Sequence, residues 1–151
     1  MSDDIFFDYK KKVGISIDSY VEGTHFLNFK NPNLVIKKAL RASISDLICK
    51  GIIPKYYFMS CSGNNKHFTP SNLAKISLAL KQEQKKYNII LAGGDTSYSS
   101  RLSITISAVG YLKKGLVLRS GAKINDDIYI TNTIGDAFVG LKVLKGKIKL
   151  S

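Results

Sequence analysis

The sequence predicts an α+β fold, a mixed β-sheet covered by helices, and three observations carry the prediction. Residues alternate at period two in Val13–Ile17 and again in Leu102–Leu112, where Ile104, Ile106 and Ala108 face away from Thr105, Ser107 and Val109. Two helical stripes open at a proline, the first behind an N-cap at Asn31-Pro32 and the second at Thr69-Pro70-Ser71-Asn72. The segments run strand, strand, helix, strand, helix, strand, strand, strand, helix, with no internal repeat and no low-complexity linker. At 151 residues this is one domain, or one domain and a fragment of another.

The N-terminus reads as a hairpin. Asp3 and Asp4 precede the apolar Ile5-Phe6-Phe7, and a lysine run leads into the strand at Val13. Asp4 would then lie near Asp18, where the second strand runs out. Gly23 permits a turn that a Cβ would resist, and His25 follows it. The first helix starts at Asn31-Pro32, carries Leu34, Ile36, Leu40, Ile44, Leu47 and Ile48 as a rough stripe, and stops at Gly51. Lys55–Ser62 is apolar on both faces and reads as a central strand. The second helix starts at Thr69-Pro70 with Leu73, Ile76 and Leu80 on one face, then runs out in the polar stretch Lys81–Lys86. Asn88–Ala92 reads as a short buried strand, and Gly93-Gly94-Asp95-Thr96-Ser97 as the loop after it. Asp127–Thr133 is expected to form the last strand, and Gly135-Asp136 to open a helix reaching Leu144.

Composition narrows the function classes. Hydrophobic residues make up 44% of the chain, enough for a core. The net charge of +12 is nearly all lysine spread along the sequence, with arginine only at positions 41, 101 and 119. Neither paired RNA-binding aromatics nor a helix-turn-helix pattern accompanies it, so nucleic acid is not the expected partner. No apolar run is long enough to span a bilayer, and the acidic start is unlike a secretory signal; cytoplasm is the expected location. Cys49 and Cys61 fit no metal-ligand spacing and read as buried thiols.

Several polar residues stand where an apolar pattern would not put them. Asp18 and His25, just past a buried strand, suit a metal and an anionic substrate. Asp46, in Ser45-Asp46-Leu47, either faces solvent one position off the helical stripe or lies on the buried side with a cation as partner. Gly93 and Gly94 would let backbone approach a ligand, with Asp95 and the following hydroxyls as hard oxygen donors. Arg119, between an apolar run and a Ser-Gly turn, is placed to project a guanidinium into a cleft. The helix start at Gly135-Asp136 offers N–H groups to a phosphate.

Taken in order, these motifs resemble the N-terminal domain of thiamine-monophosphate kinase, of the superfamily of aminoimidazole ribonucleotide synthetase and selenophosphate synthetase. The matching residues are Asp3-Asp4; Ser16-Ile17-Asp18 through Val21-Glu22-Gly23 to His25-Phe26; Lys38-Ala39-Leu40 with Ser45-Asp46-Leu47; Gly93-Gly94-Asp95-Thr96; Arg119-Ser120-Gly121-Ala122; and Thr131 to Gly135-Asp136-Ala137, with Gly140-Leu141. The resemblance implies an ATP-binding domain whose sheet pairs into a barrel in a homodimer, with nucleotide sites near that junction. It implies transfer of the ATP γ-phosphate to thiamine monophosphate. Asp4, Ser16, Asp18, Asp46 and Asp95 would hold Mg²⁺, Gly94, Asp95 and Arg119 would contact ATP, and His25 would touch the thiamine substrate. No catalytic residue is implied. Phosphoryl transfer asks mainly for alignment and charge neutralisation, and with no Walker-type phosphate loop in the sequence that work falls to metals held by carboxylates.

The sequence also departs from the pattern. Ile17 stands where the family usually has threonine, Ser2 and Asn132 replace glycines, Ser43 replaces an asparagine, and Tyr98-Ser99 replaces the usual continuation after Gly-Gly-Asp-Thr. The motifs of the family's leading segment and of its C-terminal domain do not occur within residues 1–151. Residues 1–151 are thus expected to be the ATP- and Mg²⁺-binding domain, entering the missing second domain after residue 146. The alternatives are a non-catalytic remnant, the dimerising half of a split kinase with a separately encoded C-terminal half, or another ATP-dependent member of the superfamily.

Overall fold

The computed structural model describes residues 4–149; Ser2 and Asp3 lie outside them. The chain divides into two compact units, the first ending at Arg119 and the second beginning at Ser120.

The first unit is built on a five-stranded mixed sheet. Its strands are β1 (Phe6–Asp8), β2 (Val13–Val21), β3 (Ile52–Gly63), β4 (Ile90–Tyr98) and β5 (Ser103–Leu112), in the order β1-β2-β5-β3-β4. Only the β3–β4 pair is parallel. The expected hairpin forms, with Phe6 opposite Ile15 and Asp8 opposite Val13. Asp18 sits inside β2 rather than at its end, because the pairing with β5 continues through Tyr20 and Val21.

Helix α1 (Pro32–Ile48) starts as the sequence dictates, with the Asn31 side chain accepting from the Leu34 N–H and Pro32 in the first turn. It packs on β2, β5 and β3 from one side. Under it lie Ser16, Tyr20, Ile104, Ile106, Ala108, Ile52 and Tyr57, which with Ile36, Leu40, Ile44 and Leu47 form the core. Helix α2 (Pro70–Tyr87) is capped by Thr69, ends at a left-handed Asn88, and packs against α1. Its inward residues are Ile76, Ala79 and Glu83; Leu73, expected on that face, is exposed.

Register assigns the other side of the sheet. Ile15, Ile17 and Ser19 of β2 stand level with Val109, Ser107 and Thr105 of β5, and these with Tyr56, Phe58 and Ser60 of β3. This row points away from α1, and Ile17 remains 68% exposed.

Three expectations fail here for reasons of neighbourhood. The apolar segment before Gly93 is only partly buried: Ile89 joins the core, but β4 is an edge with Ile90 and Leu91 exposed, because only β3 flanks it. Its strand continues through Gly93-Gly94-Asp95, so that motif is ladder and not loop. Cys61 is buried but Cys49 is exposed, since it caps α1 at a turn with its thiol donating to the Asp46 carbonyl.

The second unit contains α3 (Asp136–Leu144), which begins after Gly135 as expected. The strand expected over Asp127–Thr133 does not form, and Ile128 is 93% exposed. The alternation is present, but among the described residues no strand lies beside it to share a ladder, and a strand is defined by that pairing.

Candidate functional site

The helix-facing side of β2 reads Gly14, Ser16, Asp18, Tyr20, and the last turns of α1 cross above it. The Ser16 hydroxyl, buried, donates to the Ser43 carbonyl at 2.7 Å and ties strand to helix. Ser43 in turn donates to the Ala39 carbonyl within the helix. This tie sets Asp46, one turn further along α1, over Asp18.

The electrostatics register that approach. The Asp46 carboxyl is held above the usual carboxylate range, first by partial burial and then by the negative charges of Asp18 and Asp4; Arg119 and Lys50 oppose the rise. Asp4, just ahead of β1, pairs with the Arg119 guanidinium at 2.5 Å. Three carboxylates from three distant places in the chain therefore share one corner of the sheet with two cations. Tyr20 belongs to the same corner. Its hydroxyl donates to Asp18 at 3.3 Å, and its phenol is pushed up to about 12, chiefly by burial, with Asp18 and Asp46 adding to the rise against a hydrogen bond involving Ser43. Tyr20 and the buried Lys50 are members of the site that sequence reasoning missed. Tyr20 was legible as the next inward position after Ser16 and Asp18 at period two; Lys50 carried no such signal.

The turn after β2 presents His25. The Gly23 N–H donates to the Phe26 carbonyl at 2.7 Å, with Gly23 at φ +80°, where a side chain would be strained. His25 Nδ1 accepts from the Val21 N–H at 3.0 Å, which puts the proton of the neutral ring on Nε2. The ring stands edge-on to Tyr20 at 5.9 Å, and Lys38 Nζ donates to the His25 carbonyl at 2.5 Å. His25 thus borders the acidic corner through Tyr20.

Asp95 and Gly94 lie elsewhere. Asp95 is level with Ser60, and Ser60 with Thr105, so its side chain emerges on the face away from α1, at the opposite edge from β1. Ser62 and Ser97, two positions on, touch through their hydroxyls at 2.7 Å and mark the same row. Within one chain Asp95 does not join Asp18 and Asp46, and the expected gathering of all the carboxylates is incomplete. Gly94 has a reason of its own: a Cβ there would sit 1.9 Å from the Met59 carbonyl oxygen, so the close β3–β4 approach demands glycine. Ile17, on that same face, is turned away from the acidic corner. In the second unit, the start of α3 carries Asp136, which accepts from the Thr133 hydroxyl at 2.5 Å; its own carboxylate supplies the negative charge expected of a phosphate.

The donor set fits Mg²⁺, with hard carboxylate oxygens concentrated in one corner and a charge excess that Asp46 registers. Among the described residues no three acidic, histidine or cysteine side chains close on one point. Mg²⁺ does not require that, since it keeps several waters and takes one or two carboxylates together with substrate phosphates.

Comparison with known proteins bears on the family and the fold. The chain is 41% identical over 140 residues to a thiamine-monophosphate kinase of Buchnera aphidicola subsp. Acyrthosiphon pisum, an alignment covering 90% of this chain and 42% of that protein. The crystal structure of thiamine monophosphate kinase from Aquifex aeolicus superposes with a TM-score of 0.87 at 28% identity, covering 98% of this chain and 50% of the other. A structure of AaThiL complexed with AMPPCP and TMP gives the same TM-score of 0.87 at 27% identity, covering all of this chain and 49% of the other. The chain therefore spans about half the length, or less, of the proteins it matches. Residues 2–112 match the family described as AIR synthase related protein, N-terminal domain, and the chain belongs to that family.

Proposed function

We propose that this chain is the nucleotide- and Mg²⁺-binding domain of a thiamine-monophosphate kinase, which transfers the γ-phosphate of ATP to thiamine monophosphate and yields thiamine diphosphate. The observation that carries the reading is the corner formed by Asp4, Asp18, Asp46 and Arg119, in a chain 41% identical to a thiamine-monophosphate kinase. The relative solved with AMPPCP, an ATP analogue, and TMP supports the choice of co-substrates.

Phosphoryl transfer of this kind needs charge neutralisation and alignment more than a covalent nucleophile. Asp4, Asp18 and Asp46 would hold Mg²⁺, which when bound neutralises phosphate charge, and buried Ser16 keeps β2 and α1 at the required separation. Arg119 pairs with Asp4. A cation at Asp4 would release the guanidinium for ATP phosphates, which it can grip in a planar fork. His25, fixed by Val21 and bordered by Tyr20, would meet the thiamine monophosphate. Gly94 and Asp95 reach the same nucleotide only if a second copy supplies them, so the reading includes a homodimer with sheets paired into a barrel. Among the described residues no helix is long and apolar enough to cross a membrane.

A second reading, a dimerising half that binds nucleotide without turning it over, is favoured by the separation of Asp95 from the acidic corner. Calorimetry and product analysis separate the two. Mg·ATP should bind the chain, and both Asp46→Ala and Asp95→Ala should abolish that binding while leaving the fold intact. Binding that survives both substitutions would falsify the site. Thiamine diphosphate formed from thiamine monophosphate and ATP selects the kinase over the non-catalytic half.

A further inference from the structure

We propose that His67, outside the acidic corner and far from it in sequence, is a positioning residue for the turn that carries His25, acting through Glu22. This rests on the reading of that turn as the acceptor site.

His67 lies in the short connection between β3 and α2 and is buried. Its two ring nitrogens are both engaged. Nδ1 accepts from the Asn64 N–H at 3.0 Å, and Nε2 lies 3.1 Å from Glu22 Oε2. A nitrogen that accepts from a backbone N–H carries no proton, so Nε2 bears it and donates to the Glu22 carboxylate. The direction of the contact is thereby fixed. The ring itself is fixed as well, edge-on to Phe29 at 6.3 Å and to Phe68 at 6.4 Å. Behind it is Gly63, where a Cβ would come within 3.1 Å of Nδ1 and 2.9 Å of the Phe68 ring. The His67 carbonyl accepts from the Asn72 side chain at 3.0 Å, anchoring the connection to the first turn of α2.

Glu22 is the first residue of the turn beyond β2. Its N–H donates to the Leu102 carbonyl at 2.9 Å, and it bridges Phe26, so its backbone frames the loop that displays His25. Within the turn, Gly23 and His25 bond to Phe26 and Val21, and from α1 Lys38 Nζ donates to the His25 carbonyl. The Lys38 and Leu102 bonds tie the turn to α1 and to the start of β5, and both use backbone carbonyls. The Glu22–His67 contact, spanning 45 residues of sequence and most of it out of solvent, adds a side-chain tie to the β3–α2 connection, a third side of the turn. A side chain that must meet a substrate within a fraction of an ångström needs such a second layer.

The test uses the chain itself, with His67→Ala, His67→Gln and Glu22→Ala. Glutamine can place its amide nitrogen where Nε2 stood and keep a donor on Glu22. Amide exchange at Gly23, Thr24 and His25 should rise about tenfold in His67→Ala and in Glu22→Ala, and stay near wild type in His67→Gln. Thiamine monophosphate affinity should fall about tenfold in the two alanine variants, with Mg·ATP affinity unchanged and with rescue in His67→Gln. Exchange in the turn that does not move in folded Glu22→Ala overturns the proposal, whatever His67→Ala does to the fold. Equal losses of thiamine monophosphate and Mg·ATP affinity also overturn it, since they mark general destabilisation. If the wild-type chain does not bind thiamine monophosphate, the acceptor assignment fails while the exchange measurement still decides whether His67 holds the turn.

Discussion

At the scale of single residues, Asp46 is a carboxylate held among fellow acids. Burial and two neighbouring carboxylates raise its carboxyl in the folded protein, so the native state holds its proton to higher pH than the unfolded chain does. Stability contributed by the protonated form is present below the unfolded value and is lost as pH rises through the folded one. At neutral pH the Asp46 charge therefore destabilises the metal-free protein. Asp46→Asn should raise its melting temperature, by a few degrees on the order expected for ~1 kcal/mol. The same substitution should remove the further stabilisation that Mg²⁺ gives the wild type. A lower melting temperature in thermal denaturation without metal would mean that Asp46 is held by its cations and not strained by its fellow acids. Gly94 makes the opposite kind of prediction. The obstacle to a Cβ there is backbone oxygen, which cannot swing aside as a side chain would. Gly94→Ala should cost about 2–4 kcal/mol in denaturant titration, through a parted β3–β4 ladder.

At the scale of elements, α1 and α2 are joined by one bidentate contact. Arg41 donates from Nε and Nη2 to Glu83 at 2.7 and 2.8 Å, with the Glu83 side chain only 2% exposed. That hydrogen bonding holds the Glu83 carboxyl below its usual range, so the stability it contributes is present above the unfolded value and disappears as pH falls through the lower folded one. Arg41→Ala leaves a buried charge without its fork and should cost about 2 kcal/mol at pH 7, shrinking as acid protonates Glu83. A loss that stays constant from pH 7 to about pH 3 would assign the effect to the arginine's packing instead. This pair was illegible in the sequence. Glu83 sits among Lys81, Gln82, Lys85 and Lys86, where every residue reads as solvated, and its partner is 42 residues away. What was legible is chemistry that closes locally: the caps at Asn31 and Thr69, the β1–β2 hairpin and the inward row of β5. What was not legible depends on neighbours. The apolar residues before Gly93 look like a core strand until β4 is seen at an edge, and Asp127–Thr133 alternates without a strand among the described residues to pair with. The acidic corner falls between these cases. Asp18 and Asp46 were picked out as misplaced in an apolar pattern, whereas the sheet face of Asp95 follows only from register.

At the scale of the whole molecule, the sheet has two chemically distinct sides. One is filled by α1; the other presents Phe6, Ile15, Ile17, Phe58 and Tyr111 with substantial exposure. Apolar area of that extent on a sheet face is what a self-pairing domain needs. The proposed homodimer gives Asp95 a route to the nucleotide that a single chain denies it, because it leaves on the face opposite Asp46. Two inactive variants can test this against each other. Asp46→Asn and Asp95→Asn chains should each fail to bind Mg·ATP alone. Mixed and allowed to exchange, they form heterodimers in which one site has an intact Asp46 from one copy and an intact Asp95 from the other. Random pairing makes half the dimers mixed, each with one good site, so binding should return to about a quarter of the wild-type stoichiometry. If Asp95 served its own chain's site, every site in the mixture would carry a lesion and no binding would return. Calorimetric titration of the mixture, with subunit exchange verified by mass difference, reads the two outcomes directly.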